Sequence, residues 1–318
     1  MKPPACRRRW MGGPGTAIPV VEIRARVEGP SVAVVANLHG DECTGIGVAH
    51  ELLLRLPSLL LRGRVVVMPT LNPDGLVAST RTIPGDGMDL NRCFPGDPRG
   101  RTGQRHAARI WSELMAGSID VLMDLHTDSG AAVPYAIIDR VVRGPHRDAL
   151  ERTCEHLAEA SGLTVLREYP VPRYLRFELD HSLPGACVNG PGIAAVTLEV
   201  GPRRRIDLGA VQTGLAAALG VLTAAGVVDE PAPVHASRRA DGRWRRENGP
   251  RASREGVLVP HVGAGADVVP GQPLAVVRAL DGTVLETLYA QHRGFVVALP
   301  EVAHISPGVS CATLAVPE

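Results

Sequence analysis

A histidine and a glutamate three residues apart, at the end of an apolar run, are the first residues whose spacing suggests chemistry. The run Val32–Leu38 leads into His39-Gly40-Asp41-Glu42. Where a strand stops and a helix begins, the two side chains can reach one cation. Imidazole nitrogen and carboxylate oxygen are ordinary Zn²⁺ donors at about 2.0–2.2 Å. His156 and Glu159 repeat the spacing, but they lie in a charge-rich amphipathic segment and read as a solvated helix face. His39 instead follows a buried strand, where α/β proteins place ligands. Another strand-like run, Val121-Leu122-Met123-Asp124-Leu125-His126, offers His126 as third donor, with Asp124 on the same strand face to orient a ligand. Three protein donors leave one position open for water, whose pKa bound zinc lowers from about 16 to about 7.

Such a site needs a proton carrier. Glu199 ends the apolar run Ala194–Val200, and a buried carboxylate there is costly without a purpose or a partner. It reads either as a general base that takes a proton from water and delivers it to a leaving amine, or as half of an internal ion pair with an arginine. The stretch Asn72-Pro73-Asp74-Gly75, Arg81 and Asp89-Leu90-Asn91-Arg92 adds positive charge. Arginine's planar fork suits carboxylates, and Asn91 beside Arg92 makes an anion clamp, with Arg81 as a second positive group.

The elements that must position these residues alternate. Short valine-rich runs at Val32–Leu38, Val65–Met68, Val121–Leu125 and Ala194–Val200 suit strands covered on both faces. Helical patterns lie near 42–56, 103–116, 146–162 and 207–225, with long loops expected over 69–102 and 163–193. This predicts an α/β fold: a mixed, mostly parallel central sheet flanked by helices, occupying 1–228. Residues 229–255, rich in Pro, Arg and Gly, read as a linker or exposed loop. Residues 256–318 read as a small all-β module resembling a biotinyl/lipoyl-type sandwich. Its expected hairpin is Leu280-Asp281-Gly282-Thr283, without the modifiable lysine.

Composition excludes several classes. Of 34 basic residues only Lys2 is a lysine, which removes Schiff-base, phosphate-loop and carrier-arm chemistry. A net charge of +1 argues against nucleic acid as partner, and no apolar run approaches the ~18 residues of a membrane span. Six scattered cysteines without a C-x-x-C pair, and a start lacking an apolar signal core, point to the cytoplasm.

The order His39-x-x-Glu42, Asn72-Pro73-Asp74-Gly75, Asp89-Leu90-Asn91-Arg92, Asp124-Leu125-His126 and Glu199, followed by a β-module, resembles the succinylglutamate desuccinylase/aspartoacylase branch of the zinc carboxypeptidase superfamily. The resemblance runs from about residue 15 to the end. It implies one Zn²⁺ held by His39, Glu42 and His126, with Glu199 as general base and acid. Asn91 and Arg92 would grip a substrate carboxylate. Arg81 would stabilise the oxyanion, a term worth about 3–4 kcal/mol. The reaction implied is zinc-dependent hydrolysis of a linear amide in a small N-acyl amino acid. The alternatives are a metallocarboxypeptidase acting on peptide C-termini and a non-catalytic, metal-retaining binding protein. Self-association into a homo-oligomer is left open. Tyr289 is the candidate for the family's pocket tyrosine. No arginine close to Glu199 stands out as a further substrate-binding group, which leaves Arg173 and Arg176 as candidates.

Overall fold

Continuous burial explains why the valine runs become central strands. In the computed structural model, which describes residues 4–12, 17–240 and 242–318, every residue of Ser31–Ala36 and Val121–His126 is buried. Lys2, weighed above, lies outside the described residues. The first strands are β1 (Ala5–Met11), β2 (Ile18–Arg24), β3 (Ser31–Ala36), β4 (Arg64–Met68), β5 (Val121–His126), β6 (Ala131–Ala132), β7 (Tyr135–Ile138), β8 (Thr164–Arg167), β9 (Ala194–Glu199) and β10 (Trp244–Asn248). The helices are α1 (Thr44–Leu59), α2 (Pro73–Ala78), α3 (Thr102–Ala116), α4 (Arg147–Ala160), α5 (Val171–Arg176), α6 (Leu183–Asn189) and α7 (Leu208–Ala224).

Strands β4, β3, β5 and β9 pair in parallel in that order, and the register sets His126 opposite Glu199. Two strand ends carrying chemistry are therefore neighbours by backbone pairing alone. Helices α1 and α7 pack together through glycine contacts: a Cβ on Gly214 would lie 2.7 Å from a Val48 methyl. Strand β7 then runs antiparallel to β9, with Tyr135 opposite Glu199 and Ile137 opposite Thr197.

Three expectations need correcting. The stretch 163–193 is largely ordered as β8, α5 and α6, and 69–102 contains α2 and a short 3₁₀ turn at Leu90–Arg92. These segments are too short to display a period. Trp244–Asn248, inside the stretch read as a linker, is strand β10, pairing β8 in parallel at Leu166 and Arg167. Its charges are satisfied by ion pairs such as Arg246 with Glu168 and Arg245 with Glu247, so it carries no apolar alternation.

Past 255 come β11 (Gly256–Pro260), β12 (Asp267–Val268), β13 (Pro273–Arg278), β14 (Val284–Tyr289), β15 (Gly294–Leu299), β16 (His304–Ile305) and β17 (Thr313–Pro317). One small sheet has the order β14-β13-β11-β16. The other strands continue the main sheet, which runs β1-β2-β4-β3-β5-β9-β7-β8-β10-β17-β15-β12, with β6 pairing β15. Leu258, Val277, Leu288, Val296 and Leu314 fill the space between the layers. The expected hairpin at 280–283 carries Gly282 at φ 88°, a left-handed turn position.

Candidate metal centre and active site

The loop after β3 is shaped by one asparagine. Asn37 adopts φ 55°, which asparagine tolerates better than most residues. Its Nδ2 donates to the carbonyls of His39, Gly40 and Glu42 at 2.9, 3.0 and 3.1 Å. Asn72 caps α2 by accepting from Gly75 N at 2.9 Å. Gly40 lies so close to that turn that a Cβ would stand 2.0 Å from the Gly75 carbonyl carbon. Gly40→Ala is therefore expected to cost about 2–4 kcal/mol, read as a lowered denaturant midpoint, because backbone on both sides must move. A change below 0.5 kcal/mol, the scale of a neutral surface substitution, would contradict this packing.

These turns deliver His39 and Glu42 to a buried cluster with His126. Glu42 Oε1 lies 2.8 Å from His39 Nδ1, and Oε2 lies 2.9 Å from His126 Nδ1. Ligand atoms of all three residues fall within 4.8 Å of one another. Each imidazole is anchored by its other nitrogen: His39 Nε2 lies 3.2 Å from Asp89 Oδ1, and His126 Nε2 lies 2.9 Å from Asp124 Oδ2. Donation of Nε2–H to the aspartates would turn both Nδ1 lone pairs toward the Glu42 carboxylate. Acceptors facing acceptors at this range require positive charge between them, and a divalent ion with N/O ligands supplies it. The residues thus fit a metal ion.

The electrostatics agree. Burial opposes the charge of Glu42, yet the two imidazoles hold its carboxyl well below the usual range. Burial likewise opposes a charged His126, but Asp124 and Glu42 raise it well above the ordinary imidazole value. Asp89 is held far below the usual range against its burial, by its hydrogen bond with His39 and by Arg81.

Around this cluster lies a cavity of about 100 Å³, at the carboxyl ends of β3, β5 and β9. The seven residues that the sequence reading gave to metal, proton transfer, oxyanion and carboxylate line it: His39, Glu42, Arg81, Asn91, Arg92, His126 and Glu199. Arg81 Nη1 is 3.2 Å from His39 Nδ1, while its Nε and Nη2 donate to Asp89 Oδ2 at 3.1 and 3.0 Å. Asn91 Oδ1 accepts from Leu183 N at 2.8 Å. Arg92 donates to the carbonyls of Phe177 and Asn91 at 2.9 and 2.7 Å. Glu199 makes no ion pair among the described residues, and its buried Oε2 has no hydrogen-bond partner. Burial pushes its carboxyl up to about 8, His126 opposing and Glu42 and Asp128 adding to it. His156 and Glu159, the repeat of the spacing, are both exposed on α4.

The sequence profile of the Succinylglutamate desuccinylase/Aspartoacylase catalytic domain matches residues 28–225. The chain belongs to the succinylglutamate desuccinylase/aspartoacylase family. Over 121 residues, 37% of its length, it is 38% identical to N-alpha-acetyl-L-2,4-diaminobutyric acid deacetylase of Halomonas elongata, and the match spans 35% of that protein. Its fold is similar to a succinylglutamate desuccinylase/aspartoacylase from Rhodobacter sphaeroides, at 24% identity and TM-score 0.82, covering 100% of this chain and 97% of the other. It is also similar to a metallo-carboxypeptidase from Burkholderia cenocepacia, at 16% identity and TM-score 0.57, over 70% of this chain and 64% of the other. The carboxypeptidase-like α/β fold of the family is thus present with its additional β-module.

Within this family site, the sequence reading missed two arginines. Arg203, four residues after Glu199, lines the cavity and places Nη2 3.3 Å from Glu42 Oε1 and Nε 3.2 Å from Thr127 O. Arg246, on β10, lines it as well. Arg203 thus stands near Glu199 at the cavity, where the sequence reading had singled out no arginine. Arg173 instead pairs with Glu247 and lies over the Tyr169 ring, and Arg176 lies over Phe177; neither lines the cavity. Tyr289 sits half exposed on β14, away from it.

Proposed function

We propose that the chain is a zinc-dependent deacylase that hydrolyses the amide of a small N-acyl amino acid. The observation that carries this reading is the buried convergence of His39, Glu42 and His126 beside an unpartnered Glu199 on the adjoining strand end. Held by those three residues, zinc supplies Lewis acidity and acidifies water at neutral pH. Glu199 takes a proton from the attacking water and hands it to the departing amine nitrogen, in a surround that already favours its protonated form. Arg81 donates to the developing oxyanion from the edge of the cluster. Asn91 Nδ2 and the Arg92 guanidinium hold the substrate carboxylate. The deacetylase name of the Halomonas relative supports acetyl as the acyl group, with its acylated diamino acid as the first compound to try.

A second cavity of about 270 Å³ shares Asp128 and Arg203 with the first and is lined by module residues Leu299, Glu301 and Val302. The module edge at Leu299, Glu301 and Val302 bounds that space, which we read as a limit on substrate length that favours short substrates over peptides. Amine release from N-acetyl amino acids, compared with blocked dipeptides, tests the reading; faster turnover of the peptides would overturn it. In the same assay Arg92→Ala is expected to raise KM about 10–100-fold for substrates with a free carboxylate, the scale of a charge-assisted pair. The matching carboxamides should show no such rise. Equal changes for both would remove Arg92 from the clamp.

A further inference from the structure

Matching charges around the cavity leaves a remainder on each side. Four arginines line it: Arg81, Arg92, Arg203 and Arg246. Arg81 Nη2 is 3.0 Å from Asp89, Arg203 Nη2 is 3.3 Å from Glu42, and Arg246 Nη1 is 3.0 Å from Glu168. Arg92 alone has no carboxylate in ion-pair reach among the described residues; its hydrogen bonds go to carbonyls. One free cation matches one substrate carboxylate, and none remains for an acidic side chain.

The acidic side also leaves a remainder. Asp139 lines the same cavity, accepts one hydrogen bond at Oδ1 from Tyr174 Oη at 2.7 Å, and pairs with no arginine or histidine among the described residues. Asp128 is bound similarly by Tyr135 Oη at 2.8 Å. Asp128 belongs to the reacting end, since Tyr135 is the register partner of Glu199. Asp139 follows β7, four residues past Tyr135 on a strand antiparallel to β9, so the register carries it away from the level of Glu199 while it still lines the cavity. Burial and the nearby Glu168 push its carboxyl up to about 7. A second negative group placed there would meet the unpaired Asp139, whereas an ammonium would pair with it; Glu168 is already held by Arg246.

We propose that Asp139 reads a cationic group on the substrate, so the preferred substrates are N-acylated amino acids whose side chain bears an ammonium and whose carboxylate rests on Asn91 and Arg92. This inference rests on the deacylase reading and names its substrate class. It predicts selection by charge: a carboxylate facing an ammonium makes charge-assisted hydrogen bonds that an isosteric methyl cannot.

The test compares kcat/KM of the zinc-loaded protein for the Nα-acetyl derivatives of L-2,4-diaminobutyrate, L-ornithine and L-lysine with that for Nα-acetyl-L-norvaline, the neutral isostere of the first. Nα-acetyl-L-aspartate is the acidic control. At least one cationic substrate is expected to exceed norvaline by about 100-fold, because buried polar groups left unpaired reject an isostere strongly. Asp139→Asn, which still accepts from Tyr174, should bring the ratio to within about threefold of unity. Should that variant fail to fold, calorimetry on the unaltered protein carries the test, with free L-2,4-diaminobutyrate expected to bind and L-norvaline not. A faster acidic or neutral substrate, or a preference surviving in Asp139→Asn, overturns the role of Asp139 while leaving the deacylase reading intact. No turnover of any N-acetyl amino acid overturns both.

Discussion

Glu199→Gln is expected to lower kcat by about 10²–10⁴-fold while leaving the protein's metal content and thermal midpoint unchanged. The magnitude is that of removing a positioned general base. Metal retention is expected because Glu199 is not among the three residues whose ligand atoms converge. Stability is retained because the native carboxylate is already a burden: Oε2 is buried with no partner, and burial pushes the group up to about 8. Glutamine keeps the shape and removes the charge. Steady-state kinetics, elemental analysis and calorimetry on one preparation check all three statements. A variant keeping more than about a tenth of the original kcat would return Glu199 to an ordinary structural role.

Stripping the metal is expected to abolish amine release and to lower the thermal midpoint by about 5–10 °C, both recovered with one equivalent of zinc. The structural cause is crowding of like charge. Glu42 and the two anchoring carboxylates, Asp89 and Asp124, surround two imidazoles in a space where Glu42 and Asp124 are almost wholly buried. Without a divalent ion, these carboxylates are offset at His126, whose imidazole Asp124 and Glu42 hold well above its ordinary value against its burial. Asp124→Asn isolates this effect. It keeps a hydrogen-bond acceptor for His126 Nε2 but weakens the imidazole as a donor, so zinc affinity should fall about 10–100-fold. Competition with a chromophoric chelator measures the loss. Unchanged affinity would mean that Asp124 does not tune the centre.

His39-x-x-Glu42, His126 and Glu199 were legible because each stands at the end of an apolar run, where parallel strands finish on a common edge. What the sequence could not display was pairing between distant segments. Arg203 offered a signal: an arginine run, Arg203-Arg204-Arg205, directly follows the strand that carries Glu199. Arg246 offered none, because its partner Glu168 becomes visible only once β8 and β10 lie side by side. The short segments β8, α5 and α6 hold four to seven residues each, below the length at which a period emerges. Asp139 became informative only through its lack of an ion pair among the described residues, and no local pattern encodes that.

One main sheet extends from β1 to the closing strand β17, and β6, just past His126, is stitched to β15. The carboxyl-terminal third therefore has no seam along which to hinge or slide as a rigid lobe. Admission and release of small molecules must then be managed by the connecting loops at the cavity mouth. Divergence of specificity on this scaffold should likewise proceed by exchanging single side chains, at positions such as 139, 203 and 246, rather than by re-docking one half against the other.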